Sequence, residues 1–166
     1  DFCSTLLASD MGFLNFARNT EILNCVSQLL GDDIILWNES FFAKPAKTGS
    51  TTPWHQDGEY WPIRPMATTR IWVALDETSR ENGCLRYVRG SHKRKEIRQH
   101  HEAENRNMLL HYGIDENEID EADVNFQLMA MENFQVMSMD DLKIVRKSQM
   151  KLSLLFCSVH QFSSEF

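Results

Sequence analysis

Thr52-Pro53-Trp54-His55-Gln56-Asp57-Gly58-Glu59-Tyr60-Trp61-Pro62-Ile63-Arg64-Pro65 is the stretch on which the fold and chemistry of this chain turn. Upstream, Lys44 to Pro53 holds two prolines, a glycine and a run of Ser and Thr, a composition that builds neither a ladder nor a helix interior. That loop delivers a strand, since Pro is tolerated at a strand's first position, and Trp54 to Asp57 would occupy it. In a strand, residues two apart project to one face, so His55 and Asp57 can present an imidazole nitrogen and a carboxylate oxygen to one ion. Those are two members of a 2-His-1-carboxylate facial set, which suits non-heme Fe(II) and leaves three positions open. The spacing alone is weak: with 6 His and 11 Asp in the chain, chance supplies about 0.4 such pairs. The bland alternative is a surface His beside an ordinary Asp.

Reading outward, Glu21 to Leu30 places Ile22, Leu23, Val26, Leu29 and Leu30 at helical spacing, and Gly31 supplies the stop. Ile34 to Trp37, with Phe41 and Phe42, is β-branched or aromatic and bounded by polar turns, a strand. Arg70 to Asp76 alternates, with Ile71, Val73 and Leu75 on a core face and Arg70, Trp72, Ala74 and Asp76 on a busier one. Asn82-Gly83 is a strong turn signal ahead of a strand from Cys84 to Val88. Short strands joined by turns make a β sandwich or barrel. Lys93 to Leu110 is charged and rich in helix formers, predicting an exposed helix. Asp115 to Asp123 reads as an acidic loop, so that 93–125 forms a charged insertion within one domain spanning 1–166. Asp115 and Asn117 could open a calcium loop, but Ile119 and Asp120 stand where its fifth ligand and its glycine belong. The tail from Gln127 to Phe166 is Met-rich with little strand periodicity.

The chain carries 24 acidic against 17 basic side chains, a formal net charge of −7, without a Lys/Arg stripe. This excludes a phosphate-backbone partner, because such binding draws its affinity from neutralised phosphates. The most apolar late stretch, Leu152 to Val159, is far shorter than the roughly 20 residues that cross a bilayer, and no basic-then-apolar leader opens the chain. Cys3, Cys25, Cys84 and Cys157 are scattered, with no CxxC pair, which fits a reducing compartment. The expected setting is intracellular and cytoplasmic, with the peroxisome as the other candidate.

Beyond the His-x-Asp stretch come Ile71-Trp72-Val73-Ala74-Leu75-Asp76 and then Glu81-Asn82-Gly83-Cys84-Leu85-Arg86-Tyr87-Val88-Arg89-Gly90-Ser91-His92. Taken in order, these segments resemble the phytanoyl-CoA dioxygenase family over about residues 20 to 95. In that family a W-H-Q-D strand, an aromatic-Pro-x-x-Pro step, a W-x-A-L-D strand and an E-N-G-C-L turn ending in G-S-H follow one another. The resemblance implies a mainly β fold, a double-stranded β-helix (jelly roll, cupin-like) with flanking helices. It implies use of Fe(II) and 2-oxoglutarate to hydroxylate an organic substrate, a small molecule or an acyl-CoA ester. By the same resemblance His55 and Asp57 are iron ligands, and Gln56 and Trp72 line the pocket near the cosubstrate. Trp72 reads equally well as a buried sheet aromatic. Asp57 points to hydroxylation, since related halogenases carry a small residue there. Lys44 and Arg64 are candidate contacts for a carboxylate or an acyl-CoA phosphate on charge alone, against the reading of solvated loop cations. His92 reads as structural.

The family's third ligand is a distal His followed by Gly-Ser, and no His-Gly-Ser occurs here. His160 is the default candidate; it follows His55 by 105 residues and is succeeded by Gln161 and Phe162. The arginine that in the family lies beyond that histidine and pairs with 2-oxoglutarate has no counterpart before Phe166. With an opening at Asp1, this predicts a chain incomplete at both ends. Two readings stand beside the oxygenase: a non-catalytic relative serving as a binding module, and a structural Zn2+ held by His55 and Asp57.

Overall fold

The computed structural model describes residues 2–4, 10–45, 47–61, 67–94, 96–102, 110–127, 134–138, 143–145 and 151–161. Two helices, Met11–Ala17 (α1) and Thr20–Leu30 (α2), stand ahead of the main sheets. Asn19 opens α2 by accepting hydrogen bonds from the backbone N–H of Glu21 (2.8 Å) and Ile22 (3.5 Å), two of the amides that a helix start leaves unpaired. Ile22, Val26 and Leu30 are its buried residues, one turn apart as the apolar spacing predicts. Gly31 closes it at φ 85°, in the left-handed region where a side chain is disfavoured.

The strands are β1 (Phe2–Ser4), β2 (Ile34–Lys44), β3 (Thr52–His55), β4 (Thr68–Ala74), β5 (Leu85–Val88), β6 (His101–Glu102), β7 (Tyr112–Gly113), β8 (Val124–Gln127), β9 (Phe134–Ser138), β10 (Lys143–Val145) and β11 (Lys151–Gln161). One sheet has the order β1-β2-β11-β4-β9 and the other β3-β10-β5-β8; every pairing is antiparallel. Two antiparallel sheets with neighbours far apart in sequence are the layout of a jelly roll. Among the described residues the sheets are not joined into a closed barrel. β6 and β7 form a separate two-stranded ribbon.

β4 is the hinge between core and site. Its Ile71 and Val73 pack with Ile22, Val26 and Leu30 of α2, while Trp72 and Ala74 form a second buried cluster. The alternation read from Arg70 to Asp76 therefore divides a core face from a second buried face. After β4 the Asn82-Gly83 turn carries the chain across to the other sheet. Asn82 accepts from the Ser79 N–H (2.8 Å) and donates to the Glu77 carbonyl (3.1 Å), with Gly83 at φ 86°.

Three expectations are corrected. β3 ends at His55, and Asp57 opens a 3-10 turn, Asp57–Glu59, rather than continuing the strand. The exposed helix expected from Lys93 is a short 3-10 turn, Ser91–Arg94, followed by a segment without helix or strand from 96 to 100 and then β6; residues 103–109 lie outside the described residues. This segment has good helix formers but no apolar stripe, and its backbone is captured by Gln56 instead. Among the described residues the tail holds three strands, β9 to β11, where period-2 alternation is weak. β11 runs between β2 and β4, paired along both edges, and its Leu152 to Phe156 stretch is apolar at all but Ser153 rather than alternating. Among the described residues no helix is long and apolar enough to cross a membrane.

Candidate metal centre

The end of β3 sends alternate residues to different tasks. His55 Nδ1 stands 2.9 Å from the Pro53 carbonyl. A carbonyl only accepts, so Nδ1 carries the proton and Nε2 is left as the lone pair. That nitrogen faces Asp57 Oδ1 at 3.2 Å, and both residues are 5% exposed. The 3-10 turn, closed by the Tyr60 N–H on the Asp57 carbonyl, brings the carboxylate back beside the imidazole. Such a pair can share a proton or hold a cation between its two atoms. Adjacent ligands of a six-coordinate ion with bonds of about 2.1 Å stand about 3 Å apart, so the pair fits a first-row divalent ion.

The second oxygen of Asp57 is also used. Arg70 Nη1 lies 2.9 Å from Asp57 Oδ2, and its guanidinium sits 5.3 Å from the Trp61 ring centroid. Arg70 is on β4, so this ion pair joins the two sheets. Tyr60 stands edge-on to His55 at 6.1 Å and to His100 at 6.0 Å between ring centroids, and its hydroxyl donates to the Tyr112 carbonyl. Burial first, then the Asp57 and Glu59 carboxylates, push the Tyr60 phenol up to about 12, so it stays a neutral wall.

Gln56 belongs to a different network. It is 2% exposed; its amide donates to the Glu96 carbonyl (3.0 Å) and accepts from the Arg98 N–H (2.8 Å). Its own N–H donates to His100 Nε2 (3.0 Å), whose Nδ1 donates to the Arg98 carbonyl (2.9 Å). Burial holds the His100 pKa below the ordinary imidazole value, consistent with a neutral ring bonded at both nitrogens. On the outer side, the Ile114 N–H donates to the Trp54 carbonyl at 2.8 Å. Gly113 permits this approach, because a Cβ there would lie 2.7 Å from Pro53 Cβ.

Of the remaining sequence-derived residues, Trp72 is buried on the same face of β4 as Arg70. Thr68, two positions before Arg70 on that face, is 4% exposed with a buried hydroxyl that has no hydrogen-bond partner among the described residues. Lys44 ends β2, opposite Lys151 of β11; its side chain lies outside the described residues. Arg64 lies outside them too. His92 is exposed on the Ser91–Arg94 turn.

His160 comes from β11, where it takes the register position opposite Thr68. The strand beside β3 is β10, and Lys143 stands opposite His55 there. The route of His160 to its face is a β-bulge. Phe156 pairs with Ile71 on the core face, and Ser158 pairs with Arg70, so Cys157 is an extra residue that reverses the alternation. β2 makes the compensating step: Ser158 pairs with Asn38 and Val159 with Leu36, passing over Trp37. Packing agrees, since Ile34, Leu36 and Phe41 all contact the α2 core although their numbering changes parity.

Sequence reasoning missed Arg70, Tyr60 and His100 as parts of this region. Arg70 left a signal, a cation on the inward face of an alternating strand. Tyr60 and His100 left none, because their contacts depend on folding between distant segments. A separate exposed group, His101, Asp115 and Glu118, has ligand atoms within 4.8 Å of one another; exposed acidic groups gather in this way without an ion.

The comparisons with known proteins follow this geometry. The family model for phytanoyl-CoA dioxygenase (PhyH) matches residues 4–133. The peroxisomal phytanoyl-CoA dioxygenase of Homo sapiens is 34% identical over 88 residues, covering 51% of this chain and 26% of that protein. A probable alpha-ketoglutarate-dependent hypophosphite dioxygenase of Stutzerimonas stutzeri is 33% identical over 81 residues, covering 49% of this chain and 28% of that protein. These matches span little more than a quarter of either relative. Among solved structures, the apo form of the non-heme monooxygenase ThoJ superposes with a TM-score of 0.71 at 28% identity, covering 86% of this chain and 52% of that one. EctD from S. alaskensis with bound Fe superposes at 0.76 and 16% identity over 96% of this chain and 56% of that one, a likeness of fold. With the family model matching well over half of its length, the chain belongs to the phytanoyl-CoA dioxygenase family.

Proposed function

We propose that this chain is the iron-binding core of an Fe(II)- and 2-oxoglutarate-dependent dioxygenase that hydroxylates a small organic molecule or an acyl-CoA ester. The observation that carries this is the pair His55 Nε2 and Asp57 Oδ1, 3.2 Å apart, buried, and oriented by the Pro53 carbonyl. His55 and Asp57 would hold the ion, with His160 as the third ligand. Bound iron with 2-oxoglutarate supplies the oxygen-activating chemistry. The chain's own residues prepare the place for it. Pro53 fixes the imidazole tautomer, Arg70 keeps one carboxylate oxygen occupied so that Asp57 offers the other, and neutral Tyr60 stands edge-on beside the imidazole. Trp72 and Lys44 are assigned to the cosubstrate side, Lys44 for its charge at the end of β2. Gln56 acts from behind by tying β3 to the 96–100 segment. An intracellular setting, the peroxisome included, agrees with the peroxisomal human relative and with the free thiols of Cys25 and Cys84.

Anaerobic addition of Fe(II) and 2-oxoglutarate should give the weak visible charge-transfer band of the chelate, and admission of air should release succinate. His55→Ala should remove both. A wild-type chain with no band and no succinate would leave a non-catalytic member of the family. Metal that resists chelators and is needed for folding would instead indicate structural zinc.

A further inference from the structure

We propose that Arg70 is a built-in counter-cation of the metal centre: it neutralises Asp57 while no ion is bound and, once a divalent ion is held, gives the centre an excess positive charge that selects an anionic chelating ligand, by class a 2-oxo acid dianion. This rests on the iron-site reading above and adds a residue to it. Asp57 divides its oxygens, with Oδ1 toward His55 and Oδ2 on the Arg70 guanidinium at 2.9 Å. An ion taken by His55 Nε2 and Oδ1 therefore leaves the Arg70 contact in place. Arg70 is only 12% exposed and is stacked near Trp61, so neither water nor another position can take up its charge.

The charge count then decides. Neutral His55, anionic Asp57 and cationic Arg70 sum to zero in a site with little water. A divalent ion raises the sum by two, where a site lacking the arginine would rise only to one. Unscreened by solvent, that extra unit repels the metal and attracts an anion in the open positions. Thr68 adds a second demand on the same face, a buried hydroxyl two positions from Arg70 without a partner among the described residues. It is the donor we assign to the same anion.

Opposite shifts in two affinities follow, and no purely structural role produces them. The probes are Mn(II) alone, followed by calorimetry on the full chain, and 2-oxoglutarate or oxalate added to the Mn(II)-loaded protein. Arg70→Leu should bind Mn(II) about tenfold tighter or more and the anions about tenfold weaker or more, as expected for removing one near, poorly screened charge. Arg70→Lys keeps the charge and should stay near wild type in both. Thr68→Val should weaken the anions alone. If Arg70→Leu does not fold, Arg70→Gln, which retains a donor for Oδ2 without the charge, must show the same two shifts. Weaker Mn(II) binding in these variants would overturn the proposal and reduce Arg70 to a clamp on Asp57; two unchanged affinities would overturn it as well. Wild-type protein that binds no Mn(II) through His55 refutes the iron-site reading, and this inference falls with it. Wild-type binding with unaltered Arg70 variants refutes this inference alone.

Discussion

The two sides of β3's end differ in what they leave unfinished. Behind the strand, buried Gln56 and half-buried His100 are neutral and bonded to backbone, so that side is tied down as it stands. In front, Asp57 and Arg70 are sheltered and charged beside a neutral His55, and His55 Nε2 and Asp57 Oδ1 face each other across 3.2 Å. Satisfied buried polar groups give a frame its uniqueness, while a partly satisfied set keeps a capacity to bind. The contrast teaches where function sits: one side of the strand end is held fixed so that the other can stay incomplete.

The sharpest way to break the contrast is Asp57→Ala. Iron retention should fall by more than about a hundredfold, because one of the two oriented ligands is gone and Arg70 loses its anion. Equilibrium dialysis with Fe(II) or Mn(II) checks it, and undiminished retention would remove Asp57 from the site. Gln56→Ala attacks the other side. It orphans the Glu96 carbonyl and the Arg98 N–H and should cost about 2 to 4 kcal/mol in chemical denaturation, with metal affinity changing less than stability. An equal loss of both would mean that the two sides are not separable. Gly113→Ala pushes a methyl into Pro53 and should cost about 1 to 3 kcal/mol while loosening the outer contact to Trp54. A variant as stable as wild type would show that the β7 loop yields freely.

The smallest effect is with pH. His100 has its folded pKa lowered, so the unfolded chain binds a proton that the folded chain resists. Its contribution is full above the ordinary imidazole value near 6.5 and is lost as pH falls through the lower folded pKa. Thermal midpoints should therefore decline below pH about 6.5, and His100→Gln should flatten that decline. A slope indifferent to His100 would move the acid-sensitive group elsewhere.

Much of the frame was legible in the sequence. The helix over Thr20–Leu30 followed from the spacing of Ile22, Val26 and Leu30, and β4 from the alternation around Ile71 and Val73, because local periodicity reports which face meets a core. The His55 and Asp57 pairing was legible too, though by a wrong route: a tight turn at Asp57 does what an uninterrupted strand was expected to do. What stayed hidden depends on long-range register. Nothing near Arg70 in the sequence says that it meets Asp57 from the opposite sheet. The charged run after Lys93 looked helical because propensity is local, whereas its conformation is set by bonds to Gln56 some 40 residues away.

The step at Cys157 bears on how relatives should be aligned. A histidine counted by distance from His55 is an unreliable marker, since a bulge residue gained or lost between Phe156 and His160 changes the count while leaving the strand partners in place. Family members can thus shift the residue's number and keep its placement. Homologues of this segment should be matched by strand pairing with Thr68 and Arg70 before any ligand is assigned to them.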